Sequence, residues 1–451
     1  MSPNNIASNM DRMILQFSLF YSNNCYYICM NYLSVTINKL SQKQNIFLTG
    51  GAGVGKTTIT REVIEHFENE AKKVAKLAST GMAATLIGGQ TLHSFLDLGI
   101  SSDIEELEKN GKYEIKKKIK KLIASMHLIV IDEISMVSDT LFEMISLRLK
   151  QADFNGSLLV VGDFLQLPPV VRGYDEVKFA FESEAWESFA FEKEELTHIY
   201  RTDDVAFIEL LHSVRFGRVD ERVHNSLNEY IKPLPNDLSK FTFLFGKNIS
   251  AQQHNKRQLA FIENELFVKE AQIIKHLKSA KDTEVERFMN DARIDKNLEL
   301  KVGSPVLFTR NSWNYFNGER AEVVNIDASN VFVQKSDGKV VKLEAVAQSK
   351  AMWKEKTLNG KKEMVEEEIF SVYQFPIKLA FAITIHKSQG MSIEDLIIET
   401  NEIFAPSQFY VALSRSSNPN NLNLIAPQKQ WYDLAYVNAK AMAFVNETDE
   451  K

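Results

Sequence analysis

Gly50-Gly51-Ala52-Gly53-Val54-Gly55-Lys56-Thr57 is the stretch that decides how this chain is read. It fits the pattern G-x-x-x-x-G-K-[ST] at every position. It also stands between an apolar strand, Asn45-Ile46-Phe47-Leu48-Thr49, and a helix predicted from about Thr57 to Ala71. Glycines let backbone N–H groups curl around a phosphate without Cβ clashes. The helix that follows aims its positive end at the same anion. Lys56 can reach the β- and γ-phosphates, Thr57 can ligate Mg²⁺, and Thr58 is counted with the same phosphate-facing turn. ATP and Mg²⁺ are the cofactors this turn calls for.

Working outward, Val74–Leu77, Leu128–Ile131 and Leu158–Val161 are short continuous apolar runs, as strands buried on both faces require. Strands alternating with helical segments imply an α/β fold with a parallel sheet. Two of the runs end on polar groups. Asp132-Glu133 closes the first: Asp132 is placed to help hold Mg²⁺ and Glu133 to polarise the attacking water as general base. Gly162-Asp163-Phe164-Leu165-Gln166-Leu167-Pro168-Pro169 follows the next. Gln166 there can bond the γ-phosphate or its water; a plain turn stiffened by two prolines is the equal alternative on chemistry alone.

At 451 residues the chain is too long for one hydrophobic core, and two or three domains are expected. The net charge of -6 argues against a basic coating protein, so a nucleic-acid surface has to be local. Two cysteines, Cys25 and Cys29, make neither a disulfide framework nor a zinc site, which suits a reducing, cytoplasmic setting. The apolar patch Met13–Tyr21 is too short to span a bilayer and no membrane association is expected. Residues 1–29 read as a loose extension or an extra helix. Ser101–Lys121 carries Lys112, Lys116, Lys117, Lys118, Lys120 and Lys121, read as a solvated helix face or as an inserted subdomain touching phosphates. Residues 300–375 have β texture, with hairpin signals at Asn317-Gly318 and Asn359-Gly360. The tail Glu447–Lys451 reads as frayed.

At this point the motifs resemble a family. The run Gly162–Pro169 is similar to the third signature of superfamily-one helicases, in particular the Pif-one family and its RecD-like relatives. Ser79-Thr80-Gly81-Met82-Ala83-Ala84 with Gly88–Phe95 resembles that family's DNA-touching segment. Tyr200-Arg201-Thr202-Asp203 resembles its fourth motif, Ala382–Gly390 its fifth and Gln408–Arg415 its sixth. The order is the family's, from about residue 45 to 415. The resemblance implies two RecA-like P-loop NTPase domains, 30–193 and 194–300 with 376–451. Between them it implies an SH3-like β insert, 301–375, and a wedge-like insertion at about 97–125. It implies Arg201 and Arg415 as arginine fingers reaching from the second domain and Gly390 beside the nucleotide. It also implies single-stranded DNA and duplex junctions as partners, with 5′-to-3′ stepping. The DNA residues it implies are Thr80, Gly81, Thr91, His93, Phe95, Thr384, His386, Lys387 and Ser388. From the residues alone, Phe95 reads better as a core aromatic and Thr384–Ser388 as a polar helix start.

The chain departs from the family pattern in places. Gln42 and Gln44 lie too close to Gly50, and Gln16 too far, for the family's adenine-reading glutamine. Thr202 replaces the usual glutamine, Ser407 a common glycine, and Ala321 another. No phosphate or Mg²⁺ group is lost. The expected function is an ATP-dependent DNA helicase in DNA repair, recombination or replication. The alternatives are a subunit of a RecD-like nuclease–helicase complex, whose nuclease would be a partner, a nucleotide-switched DNA clamp, and, more weakly, a small-molecule kinase.

Overall fold

The apolar runs around the glycine-rich turn become neighbours in one parallel sheet. Strands β1 (Ile46–Gly50), β2 (Val74–Ala78), β3 (Gln90–Thr91), β4 (Leu128–Asp132), β5 (Ser157–Val161) and β6 (Glu192–Leu196) lie in the order β3-β2-β4-β5-β1-β6. Every pairing is parallel. Along β1, Ile46 and Leu48 enter a core shared with helix Lys56–Asn69, while Phe47 enters another shared with helix Asp139–Gln151. Both faces are covered, which is why these strands read as unbroken apolar runs. The computed structural model describes the chain except for residues 1–22, 80–82, 85–86, 100, 171–175, 236, 293, 311, 316, 359–360 and 450–451. Of the expected extension 1–29, residues 1–22 lie outside the described residues. From Asn23 the chain is helical, in the helix Asn23–Ser41.

Downstream, β7 (Thr242–Phe245) begins a second parallel sheet that is finished only after a long excursion. The excursion holds β8 (Phe267–Glu270), β9 (Gln272–Lys275), β10 (Asn297–Leu300), β11 (Pro305–Phe308), β12 (Arg320–Ile326), β13 (Val331–Lys335), β14 (Val340–Leu343), β15 (Val346–Leu358), β16 (Lys361–Gln374) and β17 (Ile377–Leu379). Then β18 (Ala382–Thr384), β19 (Leu396–Ile398) and β20 (Leu422–Leu424) complete the second sheet in the order β18-β7-β19-β20. Within the excursion, β14-β13-β12-β11-β17 form an antiparallel sheet around Val306, Phe308, Val323 and Val333. The long hairpin β15–β16 pairs with β9.

Three boundaries differ from those drawn on the sequence. Strands taken from 267–300 join the excursion and not the second sheet, because Leu298 and Leu300 bury themselves in the core of the β insert. Residues 192–196, split between the two domains by the sequence reading, are the edge strand β6 of the first sheet. The last helix, Ala439–Asp449, leaves the second sheet and packs Ala441 and Val445 on the first. Its Phe444 stacks on Phe181 at 4.2 Å between centroids and meets Phe164 edge-on at 5.3 Å. Helix therefore runs through Glu447 in the segment expected to fray, and Lys451 lies outside the described residues.

The two expected hairpin turns have different outcomes. β11 and β12 pair antiparallel, yet residues 309–319 separate them, so Asn317-Gly318 is not a two-residue hairpin. Gly318 has φ 85°, and a Cβ there would lie 2.8 Å from Met391 Cβ and 2.9 Å from Ser392 O. The glycine is needed because the insert approaches the second domain that closely. β15 and β16 pair out to Leu358 and Lys361; Asn359-Gly360 itself lies outside the described residues.

The lysine-rich segment folds as two short helices, Ile104–Lys109 and Lys117–Ala124, joined by a loop. Lys112 and Lys116 both pair with Asp97, and Lys120 with Asp153, so much of its charge is already countered. Beneath it, buried Arg148 donates to the carbonyls of Leu96, Lys112 and Tyr113, tying the start of the segment and the loop in its middle to helix Asp139–Gln151. No described helix is long and apolar enough to cross a membrane.

Candidate nucleotide site and nucleic-acid groove

The order β4-β5-β1-β6 sets four carboxyl ends side by side, about 4.8 Å from one to the next. Glu133 follows β4, Asp163 and Gln166 follow β5, the glycine-rich turn follows β1, and Tyr200-Arg201 follows β6. Such a crevice at strand carboxyl ends is where α/β sheets bind ligands. The turn needs its glycines. Gly50 has φ 135° and a Cβ there would be 2.3 Å from Leu196 O; Gly55, with φ 89°, opens helix Lys56–Asn69. The Tyr200 N–H donates to Gly53 O at 2.9 Å, which binds the segment after β6 to the turn.

Lys56 Nζ donates to Gly50 O at 2.7 Å and Gly51 O at 2.8 Å, inside the turn it is meant to serve. Burial lowers its pKa, and Asp163, Glu133 and Asp132 oppose that shift. Asp132 Oδ1 accepts from the Glu133 N–H at 2.9 Å. Glu133 itself has φ 54°, a left-handed backbone unusual for a side chain of its kind. Burial, with Asp132 beside it, pushes the Glu133 carboxyl up to about 7; burial also raises Asp132. Gln166 is buried and its Nε2 donates to Asp163 Oδ2 at 3.2 Å.

The arginines come from two places. Arg415 is buried within the second domain, donating from Nε to Val411 O at 2.9 Å and from Nη2 to Ser414 Oγ at 2.8 Å. Arg201, expected on the second domain, follows β6 of the first, but its guanidinium donates to Ser392 Oγ at 2.9 Å and to Ser414 O. It therefore spans the cleft. Burial, with Arg415 next to it, lowers the Arg201 pKa to about 9; burial lowers Arg415 to about 10 against the pull of Tyr410 and Glu133. Gly390 has φ 74° at the turn after Ile385–Ser388.

Three residues at the cleft were not picked out from sequence. Arg215 grips Asp163 with two bonds, Nε to Oδ2 at 3.2 Å and Nη2 to Oδ1 at 3.0 Å. Burial raises the Asp163 carboxyl, but the Arg215 guanidinium outweighs it and holds the group below the usual range. The Ala52 N–H donates to Tyr410 Oη at 2.8 Å. Asp163 and Tyr410 stand inside quoted motifs. Arg215 has no local signal at all, being one cation at the end of helix Val205–Arg215.

A groove of about 1920 Å³ runs beside the first sheet. One wall carries Thr91, His93, Ser138 and Lys178; the other carries Arg287, Asn290, Lys350 and Met352 from the excursion. Thr91 ends β3 and caps the short helix Leu92–Phe95, which carries His93, and both residues line this groove. Phe95 is 2% exposed and packs in the main core, so its ring is not offered to a base. Thr80 and Gly81 lie outside the described residues. The Thr384–Ser388 run is not part of this groove. Thr384 is buried at the end of β18, and Ser388 is buried with its hydroxyl turned back to Ile385 O at 2.7 Å. His386 and Lys387 are half-buried beside them. Ser and Thr hydroxyls commonly bond nearby backbone carbonyls in this way.

Comparison with known proteins gives the family. A family model described as PIF1-like helicase matches residues 30–225. The protein "ATP-dependent DNA helicase Pif1" of Campylobacter jejuni is 38% identical over 420 residues, covering 89% of this chain and 93% of that protein. The chain belongs to the Pif1 helicase family. The Pif1 of Bdellovibrio bacteriovorus is 35% identical over 400 residues, 86% of each chain. Among solved structures, Bacteroides sp Pif1 in complex with ADP-AlF4 superposes with a TM-score of 0.79 at 27% identity, over 93% of this chain and 96% of that one. Bacteroides Pif1 bound to ssDNA superposes with a TM-score of 0.61 over the same shares. The two parallel sheets are accordingly the pair of RecA-like domains of Pif1 helicases.

Proposed function

We propose that this protein is an ATP-dependent DNA helicase, a DNA-stimulated ATPase that steps along single-stranded DNA in the 5′-to-3′ direction. What supports the reading is that Lys56, Glu133, Gln166, Arg201 and Arg415 gather at one cleft between two RecA-like sheets. Lys56 neutralises the β- and γ-phosphates. Glu133 takes the proton of the attacking water, and Gln166 orients that water against the γ-phosphate. Arg201 and Arg415 stabilise the charge that develops there. Because Arg201 bonds residues 392 and 414, hydrolysis loosens or tightens the hold of one sheet on the other. Membership of a family whose relatives are called ATP-dependent DNA helicases supports DNA as the track.

Asp132 and Thr57 suit Mg²⁺: a buried carboxylate and a hydroxyl at a helix start are hard oxygen donors, beside a second acid that a cation would neutralise. An ion held there would supply Lewis-acid stabilisation of phosphate charge. Single-stranded DNA lies in the groove between Thr91 and His93 on one wall and Lys350 and Arg287 on the other. The paucity of cysteine fits a reducing, cytoplasmic compartment.

The deciding test is ATP hydrolysis with and without single-stranded DNA, with Lys56→Ala as the blank. Strong stimulation by single strands, followed by strand separation on 5′-tailed and not 3′-tailed duplexes, is the expected result. Hydrolysis indifferent to nucleic acid would refute the motor, and stimulation without strand separation would make the protein a clamp or translocase.

A further inference from the structure

Two side chains of the second domain reach the nucleotide turn of the first without belonging to the hydrolytic set. Tyr410 Oη accepts the Ala52 N–H at 2.8 Å, and Arg215 holds Asp163 with two bonds at 3.0 and 3.2 Å. Both converge on Gly51: a Cβ there would lie 3.2 Å from Tyr410 Oη and 3.8 Å from Arg215 Cδ. Asp163 Oδ2 also accepts Gln166 Nε2 at 3.2 Å, so the carboxylate that anchors Arg215 fixes the amide facing the nucleotide. Arg215 ends the helix Val205–Arg215, and Tyr410 lies on the helix Gln408–Leu413. The two helices share one core, where Leu210, Leu211 and Val214 meet Phe409 and Leu413. A rotation of the second domain therefore carries both side chains together.

We infer that Arg215 and Tyr410 are positioning residues that transmit movement of the second domain to the glycine-rich turn and to Gln166; this rests on the motor reading above. A forked guanidinium–carboxylate pair fixes angle as well as distance. It is also buried, so opening the cleft must either strand the Asp163 carboxylate without its partner or drag Asp163 and Gln166 along. The tyrosine hydroxyl adds a second point of attachment, which resists twisting about the first.

The test is ATP turnover, as kcat and KM, with and without saturating oligo-dT, in Arg215→Lys and Tyr410→Phe. Lysine keeps the charge and loses the fork; phenylalanine loses one hydroxyl. The ratio of stimulated to basal kcat should fall about 5-fold or more in Arg215→Lys, the lower end of ordinary site–site couplings. It should fall about threefold in Tyr410→Phe, in keeping with one neutral hydrogen bond. The loss should fall on stimulated kcat more than on KM. A merely structural pair would lower the melting midpoint and reduce basal and stimulated turnover by one factor, and that outcome overturns the inference. So does an unchanged ratio. If Arg215→Lys does not fold, Tyr410→Phe decides by the same criterion. A wild-type enzyme that DNA does not stimulate refutes the motor reading itself; a stimulated wild type with equally stimulated variants refutes only the transmission.

Discussion

Glu133 and Asp163 are acids after neighbouring strands, and their surroundings give them opposite tasks. Glu133 is raised by burial with Asp132 beside it; Asp163 is held ionised by Arg215. Glu133→Gln should keep ATP affinity and lose about 10²–10⁴-fold in turnover, the usual worth of a general base; a variant that hydrolyses at the normal rate would remove Glu133 from the mechanism. For Asp163 the prediction concerns pH. Its folded pKa is depressed below the ordinary aspartate value of about 3.9, so its contribution to stability is fully present above that value and is lost as pH falls through the folded pKa. Denaturant midpoints at pH 5 and pH 3 should show a smaller acid loss in Asp163→Asn than in the wild type. Ser407 adds a backbone lesson. Its φ of 61° makes the position left-handed, the conformation that glycine adopts most readily.

At the scale of elements, the lysine-rich insertion owes its position to Arg148. The buried guanidinium satisfies the carbonyl of Leu96, just before the insertion, and those of Lys112 and Tyr113, in the loop between its two helices. Arg148→Ala leaves these acceptors without their donor, at about 1–3 kcal/mol for each that water does not reach. A lowered melting midpoint is expected, together with strand separation that suffers more than DNA-stimulated hydrolysis, because the nucleotide cleft is built elsewhere. Equal losses in both would mean that the insertion has no separate part in unwinding. The lysines advertised this segment in the sequence. The residue that fixes it lies in a different helix, 36 positions from Lys112, and only folding brings the two together.

For the whole molecule, the groove is the joint product of distant segments. Lys178 lies on one wall and Lys350 on the other, paired with Asp139 at 3.9 Å and, half-buried, with Glu284 at 2.9 Å. A phosphate can replace a carboxylate as the partner of either lysine. If each lysine meets one phosphate, Lys178→Ala and Lys350→Ala should each make the slope of log K against log salt shallower by about 0.7 for single-stranded DNA. Titrations at several salt concentrations would read this directly, and slopes equal to wild type would take the strand out of this groove.

The nucleotide turn, its flanking strand and helix, Asp132-Glu133 and Gln166 were legible in the sequence because each works through neighbours a few residues away. Local spacing fixes phosphate-binding geometry, and a run of apolar residues suffices to mark a strand buried on both faces. What tertiary structure alone decided is who meets whom across the cleft. Arg201 belongs to one sheet and bonds the other, Arg215 reaches Asp163 over 52 positions, and Tyr410 reaches Ala52 over 358. It also turned Phe95 and Ser388 inward, since a side chain's periodicity does not say whether a partner element will cover it. Contacts of that range depend on how two cores pack together, and no local pattern encodes them.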